Sequence, residues 1–358
     1  MALLQIAEPG QSLAPHQRRI AVGIDLGTTN SLVAAMKNAL PEVLADDQGR
    51  ALLPSVVRYL PGGSTQAGYP ALQNATGDPK NTIISVKRFM GRGIGDISNI
   101  ESMPYDFVDA PGMLKLKTIS GDKSPVEVSA EILARLRQRA EDSFDDEIVG
   151  AVITVPAYFD DAQRQATKDS AKLSGIELLR LLNEPTAAAI AYGLDNASEG
   201  IYAVYDLGGG TLDVSVIKAN GEDVEVLASE GLQKLGGTDF DQKIIEIVGK
   251  KFNAQHGIEF NVDDFGFGES DAEDVKKSLS TVEEKKIRLV GQGIAPTVLT
   301  ITRKEFEEAI SGYIAQTEML CESAMLEANV SLSDIEEVFL AGGSSRIPLV
   351  KKTLAKLF

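Results

Sequence analysis

A two-lobed α/β architecture is predicted by three features of the sequence. At 358 residues the chain is about twice the usual length of one domain, so two compact units with separate cores are expected. The pattern running from Ile20 to Ala35 returns from Ile201 to Ile217, the mark of an internal duplication. Around these copies, short apolar runs alternate with stretches of helical periodicity, which is how a sheet flanked by helices is written.

The elements follow in order. In the first copy Val22, Ile24, Asp25, Leu26, Gly27, Thr28 and Thr29 lead into an apolar run from Leu32 to Met36. In the second, Val204, Asp206, Leu207, Gly208, Gly209, Gly210 and Thr211 lead into Val214 to Ile217. Each copy reads as strand, aspartate, small-residue turn, strand, so each lobe opens on a hairpin. Ile132, Leu133, Leu136, Ala140 and Phe144 share one helical face, and Ala151 to Val155 reads as a buried strand. Asp160 with Gln163 forms a capping box for the next helix, and Gly175 is placed to end it. Ile176 to Leu182 is a further strand, with Pro185 at the first position of a helix through Ala187 to Tyr192. Asn261 to Asp274, rich in acidic residues, glycine and phenylalanine, reads as a solvated loop before the helix that carries Lys276 and Lys277. Val338 to Leu340, the pair Gly342 and Gly343, and a helix from about Arg346 close the chain.

Composition narrows the function. The formal charge of −17 excludes a broad basic footprint, so nucleic acid is not an expected partner. A single cysteine, Cys321, rules out an intramolecular disulfide, and with only His16 and His256 beside it no zinc cluster is expected. This suits a reducing, cytoplasmic setting. Cys321 shares helical spacing with Phe306, Ile310, Ile314, Thr317 and Met325 and reads as a buried small hydrophobe. Met1 to Arg19 is broken by Pro9 and Pro15 and reads as an extension, neither a signal peptide nor a membrane span.

The chemistry lies in the two turns. Three consecutive glycines after Asp206 let backbone amides approach phosphate oxygens without Cβ clashes. No Gly-Lys-Ser/Thr follows and the next element is a strand, so this is not a Walker A loop. Asp25-Leu-Gly-Thr-Thr29 supplies a second such turn with hydroxyls. A carboxylate at the head of each turn places two hard oxygen ligands near one phosphate-bound cation, the usual setting for magnesium.

Six segments carry a resemblance in one order along the chain. They are Gly23-Ile-Asp-Leu-Gly-Thr-Thr-Asn-Ser31, Val86-Lys-Arg-Phe-Met-Gly91, Ile153-Thr-Val-Pro-Ala-Tyr-Phe159, Asn183-Glu-Pro-Thr-Ala-Ala-Ala189, Asp206 to Ser215 and Gly342-Gly-Ser-Ser-Arg346. Over Ile20 to Phe358 the chain resembles the nucleotide-binding domain of the seventy-kilodalton heat-shock chaperone family, related in fold to actin and the sugar kinases. The resemblance implies an actin-like, ribonuclease H-like ATPase fold in which each lobe has a five-stranded mixed sheet flanked by helices and a smaller subdomain. Lobe I would span 20–205, with 341–358 returning to it and 54–130 as its peripheral part; lobe II would span 206–340, with about 246–280 peripheral.

It further implies ATP or ADP as ligand, with Mg2+ and K+ as cofactors. Gly27, Thr28, Thr29, Asn30 and Gly208 to Gly210, with Gly236 and Gly237, would surround the phosphates. Lys87 would be the catalytic lysine, Asp25 and Asp206 would hold the metal through water, and Glu184 would stand beside the attack site. Thr211 would contact the γ-phosphate, and Asp213 would orient the attacking water. Glu273, Lys276, Lys277 and Ser280 on one helical face, with Gly342, Gly343, Ser344 and Arg346 opposite, would hold adenosine. Lys277 stands where several members have arginine, which leaves Arg346 as the main stacking group for adenine. Pro156 and Arg164 would relay nucleotide state to a partner domain.

Met1 to Gly10, Ala14 to Arg19, Phe159 to Gln165 and Arg180 to Pro185 are similar to the branch of this family specialised for iron–sulfur cluster assembly. That branch implies a J-domain co-chaperone and a scaffold protein as client, with no membrane and a monomeric state. The sequence ends at Phe358, ahead of the peptide-binding domain expected of the family. A general folding chaperone, a kinase for sugars or acetate, and a filament-forming protein on the same fold are the alternatives.

Overall fold

The computed structural model describes residues 19–97, 100, 103–192, 199–221, 223–232, 235–291 and 295–358, so all of the expected extension but Arg19 lies outside them. Two mixed sheets organise the chain. The first contains β1 (Ile20–Asp25), β2 (Asn30–Lys37), β3 (Leu40–Val43), β4 (Ile148–Val155) and β5 (Leu178–Asn183) in the order β5-β4-β1-β2-β3, with the short strand Leu53–Pro54 also paired to β2. β1 runs antiparallel to β2 and parallel to β4, a register that sets Asp25 opposite Thr154.

The second sheet joins β6 (Glu199–Leu207), β7 (Leu212–Asn220), β8 (Asp223–Leu232) and β9 (Ile335–Ala341) in the order β8-β7-β6-β9. Here too a hairpin carries a parallel neighbour, and Asp206 lies opposite both Asp213 and Ala341. The duplicated hairpins legible in sequence are therefore the central strands of the two sheets. The second sheet has four strands among the described residues rather than the expected five. In the first sheet the fifth place is taken by β5, which follows the helix after the parallel strand; in the second the helix after the parallel strand is α7 (Pro348–Leu357).

Helices cover the sheets as their apolar stripes require. α1 (Pro125–Phe144) buries Val128, Ile132, Leu133, Leu136 and Ala140 completely, and Ser124 and Glu127 close a capping box at its start. α2 (Asp161–Leu173) begins on the Asp160–Gln163 box, and Gly175 follows its end at φ 76°, a left-handed conformation suited to glycine. α3 (Glu184–Ala191) leaves the first sheet yet packs Ala189 with Tyr202, Val204 and Phe339 of the second, so it bridges the two units. Pro185 occupies its second rather than its first position. The opposite face of the second sheet lies under α4 (Gly237–His256), α5 (Glu269–Leu279) and α6 (Arg303–Glu327).

Three expectations are corrected. Asn261 to Asp274 is not a solvated loop: it holds a helical turn, Val262–Phe265, and the start of α5. Phe260 and Phe265 stack 5.4 Å apart and both meet the buried Phe252, so apolar burial orders the segment despite its acidic residues. The boundary near 246 falls inside the single helix α4, and the hairpin of Glu284–Leu289 and Thr297–Thr302 shares the core of α4 and α5. Residues 341–358 do not return to the first lobe, because Ile347, Val350 and Leu354 sit in the core of the second. The apolar face of α7 packs back on its own sheet. Cys321 is buried within α6 as expected, and among the described residues no helix is long and apolar enough to cross a membrane.

Candidate active site between the two turns

The two hairpin turns meet face to face. A Cβ placed on Gly209 would collide with the side chain of Thr29, so the second turn can rest against the first only because that position is bare. Each turn is held by its carbonyls. Gly237 N–H donates to Gly208 O at 3.0 Å, Thr238 N–H to Gly209 O at 2.7 Å, and Ser344 Oγ to Gly208 O at 3.0 Å. Among the described residues none of the backbone hydrogen bonds uses the amides of Gly209 and Gly210. With their carbonyls engaged and amides spare, these residues form a cradle for anionic oxygens. The first turn is fastened by Ser55, 1% exposed: its N–H donates to Thr29 O and its Oγ to Gly27 O, both at 2.8 Å, and Ser31 Oγ lies 2.8 Å from the same hydroxyl.

Charged groups converge beside the cradle. Lys87 Nζ donates to Glu184 Oε1 at 2.7 Å, with the two side chains only 12% and 17% exposed. Lys87 stands on the short 3-10 turn Val86–Phe89, and the residue before it, Ser85, is left-handed at φ 56°. The neighbouring Arg88 crosses from the first unit to the second and donates from Nη2 to Gly210 O at 2.9 Å. Burial opposes the charged form of Lys87, but Glu184, Asp25 and Asp213 outweigh it and hold the ammonium above its ordinary value.

Three of the carboxylates are raised too. Burial, with Glu184 and Asp25 adding repulsion, pushes Asp206 up to about 7. Burial and the same crowding raise Asp213 well above the usual carboxylate range, and burial raises Glu184 against the pull of Lys87. Among the described residues Asp213 Oδ1 has no hydrogen-bond partner, and Tyr158 and Gly231 close around it. Asp25 Oδ1 accepts from Thr154 Oγ1 at 3.1 Å. Four crowded carboxylates and one lysine are a donor set short of positive charge, which is the chemistry a divalent cation satisfies. Among the described residues no three His, Cys, Asp or Glu side chains gather as a direct metal-binding group. Asp25 and Asp206 offer the hard oxygen donors that such a cation takes.

The structure brings Asp25, Gly27 to Asn30, Lys87, Glu184, Asp206, Gly208 to Thr211, Asp213, Gly236 and Gly237 to this cleft. It divides the helix assigned to adenosine. Lys276 is buried, donating to Asp241 and to Gly237 O, whereas Lys277 is 63% exposed and paired with Glu273 at 3.0 Å. Ser280 Oγ donates to Lys276 O at 3.4 Å. Across from them Ser344 is buried, and Gly342, Gly343 and Arg346 are exposed. Pro156 and Arg164 meet directly: the Arg164 guanidinium donates to the carbonyls of Pro156, Ala157 and Phe159 and to Asn183 Oδ1. Sequence reasoning missed Ser55, Thr154, Tyr158 and Asp241. Thr154 and Tyr158 lay inside a quoted segment and could have been singled out; Ser55 and Asp241 had no local signal.

The family model described as Hsp70 protein matches residues 21–358. The chain belongs to the Hsp70 family. Its Hsp70 relatives include proteins named chaperone protein HscA homolog, from Polynucleobacter necessarius subsp. necessarius at 59% identity over 361 aligned residues, Ralstonia pickettii at 58% over 358 and Cupriavidus taiwanensis at 57% over 358. Each alignment covers 100% of this chain and 57% of the relative, so the Hsp70 chain spans little more than half the length of these proteins. The actin-like two-lobed fold expected from the sequence is that of this family's ATPase domain.

Proposed function

We propose that this chain binds ATP between its two turns, hydrolyses it to ADP and phosphate, and so drives client binding and release by a molecular chaperone. The observation that carries the reading is the meeting of two glycine turns from duplicated hairpins beside a buried lysine–carboxylate pair. The amides of the Gly208–Gly210 turn and the hydroxyls of Thr28, Thr29 and Thr211 bind and align the phosphates. Lys87, kept protonated by Glu184, places positive charge at the γ-phosphate, where charge develops as the bond to ADP breaks. Asp213 orients the attacking water and takes up its proton. Mg2+, with K+ beside it, supplies neutralisation of phosphate charge when bound, and Asp25 and Asp206 are the residues that would hold it.

The similarity of the chain to proteins named HscA homolog supports the iron–sulfur branch over a general folding chaperone of the DnaK type. In this reading the partners are an HscB-like J-domain co-chaperone and an IscU-like scaffold protein, the protein works as a monomer in the cytoplasm, and Pro156 with Arg164 passes nucleotide state onward. Lys87→Ala tests the mechanism. In single-turnover assays it should bind ATP yet hydrolyse it at least about 100-fold more slowly, and unchanged hydrolysis would remove Lys87 from the reaction.

A further inference from the structure

Asp241 belongs to none of the groups expected to touch nucleotide, yet it is buried and its partner is also buried. Asp241 lies on α4 and Lys276 on α5, their side chains both 9% exposed, with Lys276 Nζ 2.8 Å from Asp241 Oδ1 and 2.9 Å from Oδ2. The same ammonium donates to Gly237 O at 2.9 Å. Gly237 and Thr238 are the residues whose N–H groups clasp the carbonyls of Gly208 and Gly209. A Cβ on Gly237 would lie 2.7 Å from Ser344 Oγ and 2.9 Å from Lys276 Nζ, so ammonium, hydroxyl and turn are packed around one point. Burying two opposite charges is repaid only when their geometry is good and their remaining valences are used, and such a pair is a poor way to gain stability alone. It is a good way to fix an ammonium, since a lysine on a four-carbon stem otherwise samples many rotamers.

We propose that Asp241 is a positioning residue: it holds the Lys276 ammonium against the Gly237 carbonyl, so that the lysine meets a bound nucleoside already oriented and joined to the phosphate cradle. The inference rests on the nucleotide reading above. It predicts a loss in nucleotide affinity that passes wholly through Lys276. In Asp241→Asn the ion pair with Lys276 is lost, and the dissociation constant for ADP, measured by calorimetric titration of the 358-residue chain, should rise about tenfold, the equivalent of ~1.4 kcal/mol. Lys276→Met should weaken ADP at least as much. Asp241→Leu with Lys276→Met, which replaces the pair by apolar groups and keeps the fold packed, should bind ADP no worse than Lys276→Met. In steady-state hydrolysis the Asp241→Asn loss should fall on KM several-fold more than on kcat. Inorganic tripolyphosphate, which has no nucleoside, should show the same inhibition constant in wild type and Asp241→Asn. Wild-type ADP affinity in Asp241→Asn, or losses that add in the double variant, would overturn the proposal. Failure of the wild-type chain to bind ADP would instead overturn the nucleotide reading itself.

Discussion

Gly236→Ala tests the cradle most directly. Gly236 has an extended backbone that any residue adopts, so the consequence is purely one of contact. A Cβ there would lie 2.5 Å from Gly210 N, 2.6 Å from Gly209 C and 2.7 Å from Gly209 O, all of them backbone atoms that cannot swing aside. To restore ordinary contact the start of α4 and the glycine turn must part by about 0.7–0.9 Å. That separation carries the 2.7 Å bond from Thr238 N–H and the 3.0 Å bond from Gly237 N–H beyond hydrogen-bond range. At about 1 kcal/mol each, their loss should lower the unfolding free energy by ~2 kcal/mol in urea titration. Displacing a phosphate-binding turn by this distance should weaken ADP on the order of 100-fold by calorimetry. Gly23→Ala is the control, since nothing lies within 4 Å of its Cβ. A Gly236→Ala chain with wild-type stability and ADP affinity would refute both the clasp and its role in holding phosphate.

Two further outcomes are expected. Ser55→Ala leaves Gly27 O and Ser31 Oγ without their buried partner and should cost about 1–3 kcal/mol in chemical denaturation, whereas Ser55→Thr should keep most of it; equal stability of Ser55→Ala and wild type would show that Ser55 does not fasten the first turn. Burial pushes the Cys321 thiol from 9.0 up to about 12, so the folded chain keeps this proton where the unfolded chain releases it. Stability should therefore fall as pH rises from about 9 toward 12. Cys321→Ala should flatten that slope, and Ellman's reagent should label the wild type only once it is unfolded.

Local features were read well from sequence because their causes are local. The capping box at Asp160–Gln163 and the glycine stop at Gly175 involve residues a turn apart, and the paired Asp25 and Asp206 turns lie within continuous segments. The segment from Asn261 to Asp274 was misread for the opposite reason. Its acidic composition looked solvated, but Phe260 and Phe265 are claimed by Phe252 on a different element, which no local pattern announces.

The sequence by itself determined the duplicated hairpins, the carboxylate at the head of each turn, the glycines that allow close approach, and the family. Each is a property of residue type and spacing along a short stretch. Only the tertiary structure decided that Gly209 rests on Thr29, that Arg88 reaches Gly210 O, that Lys276 is pinned by Asp241 while Lys277 faces water, and that α7 packs on the second sheet. Those outcomes depend on which distant side chains share one buried volume, and burial is fixed by the packing of whole elements rather than by any neighbour in the chain.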